Sequence, residues 1–217
     1  MNKDIYFDSP MFFPWIGNEY NNGGIFNKKI LLLGEAHYCW SIKDCEGCLP
    51  GNRNDCNMMT INTIKDQMSE NKKKHAIFTK LVKLFLDKEI IDLNDKTVFW
   101  NSVACYNYIQ PSVSDRARVA PTSEMCSISV KPFYEVMDKL EPDFLLVISS
   151  RLWENLPGQE GIDWPAGPTV NENNIIEKTW YYKGKRKNTL SLVIYHPSTS
   201  YFSYSYSPVV KKSLSLS

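Results

Sequence analysis

The sequence predicts an α/β fold with a mainly parallel sheet covered on both faces, and three observations predict it. Ile30–Leu33 and Phe144–Ile148 are short, unbroken apolar runs, and Val98–Val103 is apolar apart from Asn101 and Ser102, the pattern of strands buried on both sides. Between them apolar residues recur at spacings of three and four, the helical period. Strands that alternate with helices in this way build a parallel sheet between helical layers. With 217 residues, 43% of them hydrophobic, the chain 1–217 suffices for a single sizeable domain.

Residues 1–29 are rich in Asn, Gly, Pro and aromatics and suit a non-regular arm laid over the core by Phe12, Phe13 and Trp15. Ile30–Leu33 is the first strand, and the cysteine-rich stretch 39–57 is a loop. From Met58 to Ile91, Ile64, Met68, Phe78, Leu81, Val82, Leu84 and Phe85 mark two helices joined by the basic turn Lys72-Lys73-Lys74. Val98–Val103 is the second strand, Tyr106–Thr122 a long polar loop, and Val130–Leu140 a helix with Pro132 in its first turn, where proline is tolerated. Phe144–Ile148 is the third strand, and Ser149-Ser150 opens a helix bearing Leu152 and Trp153. Thr179–Tyr182 and Thr189–Tyr195 form a hairpin around a basic turn. Tyr201–Tyr206, which alternates Tyr or Phe with Ser, is expected as a partly buried strand or loop.

A formal net charge of +1 excludes a globally basic nucleic-acid binder and leaves a local basic patch open. The first 20 residues carry Asp4, Asp8 and Glu19 and do not form a secretory signal. No segment approaches the roughly 20 apolar residues of a membrane span, so a cytoplasmic location and no membrane partner are expected. In a reducing compartment clustered cysteines suit metal binding better than disulfides. Cys39, Cys45, Cys48 and Cys56 lie close together, and Cys45-Glu46-Gly47-Cys48 has the spacing at which two thiolates chelate one ion. Zinc held by these four thiolates is the expectation, with an iron–sulfur cluster as the alternative cofactor and a set of reduced thiols as the plainer account. No organic cofactor is expected.

Two apolar runs end on chemistry. Gly34-Glu35-Ala36-His37-Tyr38 puts a glycine where the backbone turns, then a carboxylate and an imidazole, and His196-Pro197-Ser198 follows the last strand. Such turns suit recognition of a base or a phosphate, although a strand-ending glycine with solvated neighbours gives the same pattern. Asn101, placed at the end of the Val98-Phe99-Trp100 run, carries an amide able to match the edge of a nucleobase. Asparagine after a strand is also ordinary turn chemistry. Glu35, His37 and His196 together would also suit a metal-dependent hydrolase. Lys72–Lys74 and Lys183–Lys187 are expected to be solvated turns more than phosphate contacts.

The ordered set Leu-Leu-Leu-Gly-Glu-Ala, Phe-Trp-Asn-Ser-Val, Pro-Asp-Phe-Leu-Leu-Val and His-Pro-Ser resembles the uracil-DNA glycosylase superfamily in outline from Ile30 to Ser198. The first motif is similar to the G-E-A-P-G of its iron–sulfur members and, at Tyr38, to the G-Q-D-P-Y of others. The resemblance implies a three-layer α/β/α sandwich and a pocket for a base flipped out of single- or double-stranded DNA. It implies that Gly34 and Glu35 line the pocket, that Tyr38 stands against the C5 edge of the base, and that Asn101 reads its hydrogen-bonding edge. His196 would stabilise charge on the departing base. Tyr106-Asn107-Tyr108, Arg116 and Arg118 fall where the superfamily builds its nucleic-acid surface, as does Ser198, and the loop after His-Pro-Ser would enter the minor groove. Two departures matter: Ala36 stands where the G-Q-D-P-Y members carry a water-activating aspartate, and His37 replaces a proline. The alternative function is a binding module of the same fold without the hydrolytic step.

Overall fold

The computed structural model describes residues 5–39, 55–72 and 74–217. Its centre is a six-stranded sheet in the order β1-β3-β2-β4-β8-β7. β2 (Ile30–Gly34), β3 (Val103–Asn107), β4 (Phe144–Ile148) and β8 (Asn188–Ile194) run parallel. The short β1 (Trp15–Ile16) pairs antiparallel with β3 at one edge, and β7 (Thr179–Lys183) pairs antiparallel with β8 at the other. β5 (Val170–Glu172) and β6 (Ile175–Glu177) form a separate hairpin.

The pleat sends alternate side chains of each parallel strand into two cores. Ile30, Leu32, Leu146, Leu192 and Ile194 meet α1 (Met59–Gln67), α2 (Ala76–Leu86), α3 (Leu93–Ser102) and α6 (Ser207–Leu216). Leu31, Leu33, Leu145 and Val147 meet α4 (Ser123–Leu140) and α5 (Ser150–Asn155). Both strand faces are therefore dry, which is why Ile30–Leu33 and Phe144–Ile148 carry no polar alternation. Among the described residues no helix is long and apolar enough to cross a membrane.

Two expected elements are corrected. The run Val98–Val103 is not a strand: residues up to Ser102 complete α3, and β3 begins at Val103. A reciprocal capping box decides it. Asp92 accepts from the Asp95 N–H at 2.7 Å and the Asp95 carboxylate accepts from the Asp92 N–H at 3.3 Å, which satisfies two otherwise orphaned donors and starts a helix. Local capping here outweighs the β preference of Val, Phe and Trp, which depends strongly on context. The helix expected at Val130–Leu140 begins instead at Ser123, with Thr122 accepting from the Met125 N–H. Pro132 is thus internal and leaves the Ile128 carbonyl without its helix donor. Ile128 is exposed, so that carbonyl lies on the side open to water. The Tyr201–Tyr206 segment is a loop ending in a short 3₁₀ turn, Tyr204–Tyr206.

The arm before β2 is fastened at several points. Trp15 Nε1 donates to the Trp100 carbonyl, and Gln110 Oε1 accepts from the N–H groups of Met11 and Phe12. Glu135 accepts from the N–H groups of Asp8 at 2.7 Å and Ser9 at 2.8 Å, with Lys139 beside it. Burial raises the Glu135 pKa, but these donors outweigh it and bring it to about 2. A carboxyl held below its unfolded value stabilises the fold above that value and loses the contribution as pH falls through the folded one. Melting curves of wild type and Glu135→Gln should therefore differ most at neutral pH and converge between about pH 4.5 and 2; a gap unchanged across that range would refute the clamp.

The basic turn between β7 and β8 is fully engaged. Lys185 pairs with Asp138, Arg186 with Glu141 at 2.8 Å, and Lys187 with Asp143 at 2.8 Å. Because Leu190 lies level with Phe144, this strap sits at the amino ends of the parallel strands.

Candidate functional site

In an open parallel sheet the ligand crevice lies beyond the carboxyl ends of the strands, where successive connections depart in opposite directions. Here β2 leads to β3 on one side, and the chain then crosses to β4 on the other, so the switch point falls between β2 and β4. Gly34 lies level with Asn107, and Ile148 with Ile194. The carboxyl edge thus collects 34–38 after β2, Asn107 after β3, 149–151 after β4 and His196 after β8.

The first loop is laced to the segment after β3: Tyr108, Ile109 and Val113 donate their N–H groups to the carbonyls of Gly34, Glu35 and His37 at 2.8–3.0 Å. Gly34 is required by proximity. A Cβ built on it would stand 2.1 Å from Asn107 Oδ1, so the asparagine amide lies directly over the glycine.

His37 turns inward. It is 8% exposed, its Nε2 lies 2.8 Å from Thr60 Oγ1 and 3.1 Å from Asn107 Nδ2, and the edge of Phe12 packs against it with centroids 4.6 Å apart. Burial pushes its pKa down to about 4, so the ring is neutral at physiological pH and serves to hold Asn107. These contacts are those of a positioning group.

Glu35 reaches across the switch point. Its two carboxylate oxygens take Nε and Nη2 of Arg151 in a bidentate pair, with Nε at 2.6 Å; such forks are geometrically specific as well as strong. Arg151 stands just after Ser149, whose φ of 140° and ψ of 137° is a conformation that non-glycine residues rarely hold and that concentrates at functional sites. Tyr38 donates its hydroxyl to the Val119 carbonyl at 3.3 Å, which ties the rim to the loop bearing the exposed Arg116 and Arg118. Arg116 is accompanied by Asp115 at 3.6 Å.

His196 is half-buried. The Ser198 N–H donates to its Nδ1 at 3.2 Å and the Ser198 hydroxyl lies 2.8 Å away. A backbone N–H only donates, so Nδ1 is the acceptor and the proton of the neutral ring sits on Nε2. Ser198 therefore orients His196. Burial lowers the His196 pKa, Glu35 raises it, and Arg151 and Lys80 lower it further, for a net decrease. Lys80 also donates to the Pro197 carbonyl at 2.6 Å and so braces the turn.

Asn101 does not join this group. It lies in α3 ahead of β3, at the amino edge of the sheet, where its carbonyl accepts from the Glu19 N–H. Asn107 is the asparagine that ends the strand. The sequence signal for it was the run Val103–Tyr106 followed by Asn, the same grammar as Leu31–Leu33 followed by Gly34. Arg151 and Thr60 were also missed, since neither has a local motif. Of the cysteine quartet, Cys39 and Cys56 carry free thiols, while Cys45 and Cys48 lie outside the described residues. Among the described residues no three His, Cys, Asp or Glu side chains are grouped as ligands, and Glu35, His37 and His196 point to different partners.

The chain matches no protein-family model and no curated protein.

Proposed function

We propose that the chain is a glycosylase of the uracil-DNA glycosylase type, a three-layer α/β/α sandwich that hydrolyses the N-glycosidic bond of uracil or another modified base flipped out of DNA. The observation that carries this reading is that Asn107 follows β3 and His196 follows β8 at the same carboxyl edge of the sheet, the amide held by His37 and the imidazole with Nδ1 engaged by Ser198. The parallel order β3-β2-β4-β8 and the glycine under Asn107 support it.

Asn107 is held by His37 through its Nδ2 and reads the hydrogen-bonding edge of the base, the duty expected of Asn101. As the bond from the base nitrogen to the sugar breaks, the electron pair stays on the base. The Nε2–H of His196 then donates to the oxygen on which that charge collects, a preorganised donor of the kind that lowers such barriers most. Water adds its oxygen to the sugar carbon, and its proton ends on the released base. Arg151 holds Glu35 in a bidentate pair at the carboxyl edge, and Tyr38 lines the rim.

The binding-module reading draws on Ala36, which leaves this position without a water-activating carboxylate. A single-turnover panel of single- and double-stranded oligonucleotides carrying uracil, hypoxanthine and other modified bases separates the two. Abasic product from at least one of them is expected. Tight binding of a modified strand without product would transfer the assignment to the binding module, and neither binding nor product would overturn both.

A further inference from the structure

We propose that the segment following His196, together with the outer face of α2, is a stacking platform for an unpaired nucleic-acid strand. The inference rests on the reading of the neighbouring crevice as one that receives a base.

Three rings crowd the surface here: Tyr195, Tyr201 and Tyr204 are 44%, 74% and 42% exposed. A single exposed ring is ordinary, but several grouped together present apolar area whose burial against a partner is favourable. Tyr195 and Tyr201 stand with centroids 5.6 Å apart, and Phe202 and Tyr204 with centroids 5.5 Å apart. Over the second pair lie two ammonium groups from α2: Lys80 Nζ is 5.7 Å from the Phe202 centroid and Lys83 Nζ is 5.3 Å from the Tyr204 centroid. Among the described residues neither lysine has a carboxylate partner. The segment is also held in shape. Thr199 N–H and Oγ1 donate to the His196 carbonyl, Ser203 Oγ accepts from the Ser205 N–H, and Tyr206 donates its hydroxyl to Glu177 at 2.7 Å. A binding surface fixed beforehand loses little entropy on binding.

The chemistry selects the occupant. Exposed rings beside cations that have no carboxylate partner among the described residues fit a polyanion that offers flat π faces, and stacking with backbone neutralisation is how single strands are bound without sequence preference. A duplex hides its base faces within its own stack. An unpaired strand therefore gains from both the rings and the lysines, whereas a duplex gains from the lysines alone.

Fluorescence anisotropy with an unmodified labelled 15-mer, alone and annealed to its complement, tests this from 50 to 200 mM salt. The single strand should bind at least tenfold more tightly. Tyr201→Ala combined with Tyr204→Ala should weaken that binding tenfold or more, while Tyr6→Ala, an exposed tyrosine outside the segment, should not. Lys83→Gln should reduce the salt slope by about 0.7. Equal or tighter duplex binding, no binding of either form, or tyrosine variants that bind as well as wild type with unchanged melting temperatures would overturn the proposal. No bond is cleaved in this measurement, so a failed base-release panel leaves its outcome readable, and a failed platform leaves the crevice reading intact.

Discussion

On the proposed glycosylase reading, His196→Ala should lower the single-turnover rate of base release by about 10²–10³-fold, the usual consequence of removing one preorganised donor to a developing anion. The variant should fold normally, because the imidazole is only half-buried and its neighbours are held by the backbone of the turn: Thr199 donates to the His196 carbonyl and Lys80 to that of Pro197. The same residue sets a pH dependence with a definite sign. The productive form has Nδ1 accepting from the Ser198 N–H and a proton on Nε2. Protonating Nδ1 removes that acceptor and releases the ring from its orientation. Since burial lowers the His196 pKa, the rate should fall on the acid limb with a midpoint below the ordinary value of about 6.5. A rate–pH profile in single turnover measures this. An acid limb that persists unchanged in His196→Ala would assign the titration to a different group and remove the role given to this histidine.

Gly34→Ala is the second large effect, and it is a test of geometry before it is one of activity. The added methyl meets Asn107 Oδ1 at 2.1 Å, far inside contact distance, and Asn107 cannot withdraw without losing His37. The expected cost is about 1–3 kcal/mol in urea-induced unfolding, the range for overpacking a fitted interior, with base release falling at least a hundredfold because the reading amide is displaced. Removing the obstacle should remove most of the cost. In an Asn107→Ala background the same Gly34→Ala change should be less than half as destabilising, a coupling of the size found between groups in direct contact. Additive stabilities would mean that the amide does not lie over the glycine.

The parts of the fold visible in the sequence are those decided by local pattern. Ile30–Leu33 and Phe144–Ile148 are strands because both their faces are dry, and continuous apolar runs signal that directly. The hairpin from Thr179 to Ile194 is equally plain, with its basic turn as punctuation. Val98–Trp100 misleads for an identifiable reason: the decisive signal lies upstream, in the pairing of Asp92 with Asp95, and a short β-rich run carries too little preference to resist a capped helix. That error moved the strand-ending asparagine from 107 to 101. The site is legible only where its residues follow a strand end, as Gly34, Glu35 and His196 do. Arg151 finds Glu35 across 116 positions, and nothing near either residue announces the other. His37 looked available for chemistry because it follows a strand-ending glycine and a carboxylate. What encloses it comes from the arm, through Phe12, and from α1, through Thr60.

The strap of three ion pairs on the β7–β8 turn has a bearing on how a large anion meets this molecule. Lys183–Lys187 is the most basic stretch of the hairpin, yet a cation paired with a carboxylate projects little field beyond a Debye length, about 10 Å at 0.1 M salt. Lys80 and Lys83 stand at the opposite end of the parallel strands, free of such compensation among the described residues. On the proposed reading, a polyanion meets less compensated positive charge on the His196 side, an attraction that lower ionic strength strengthens.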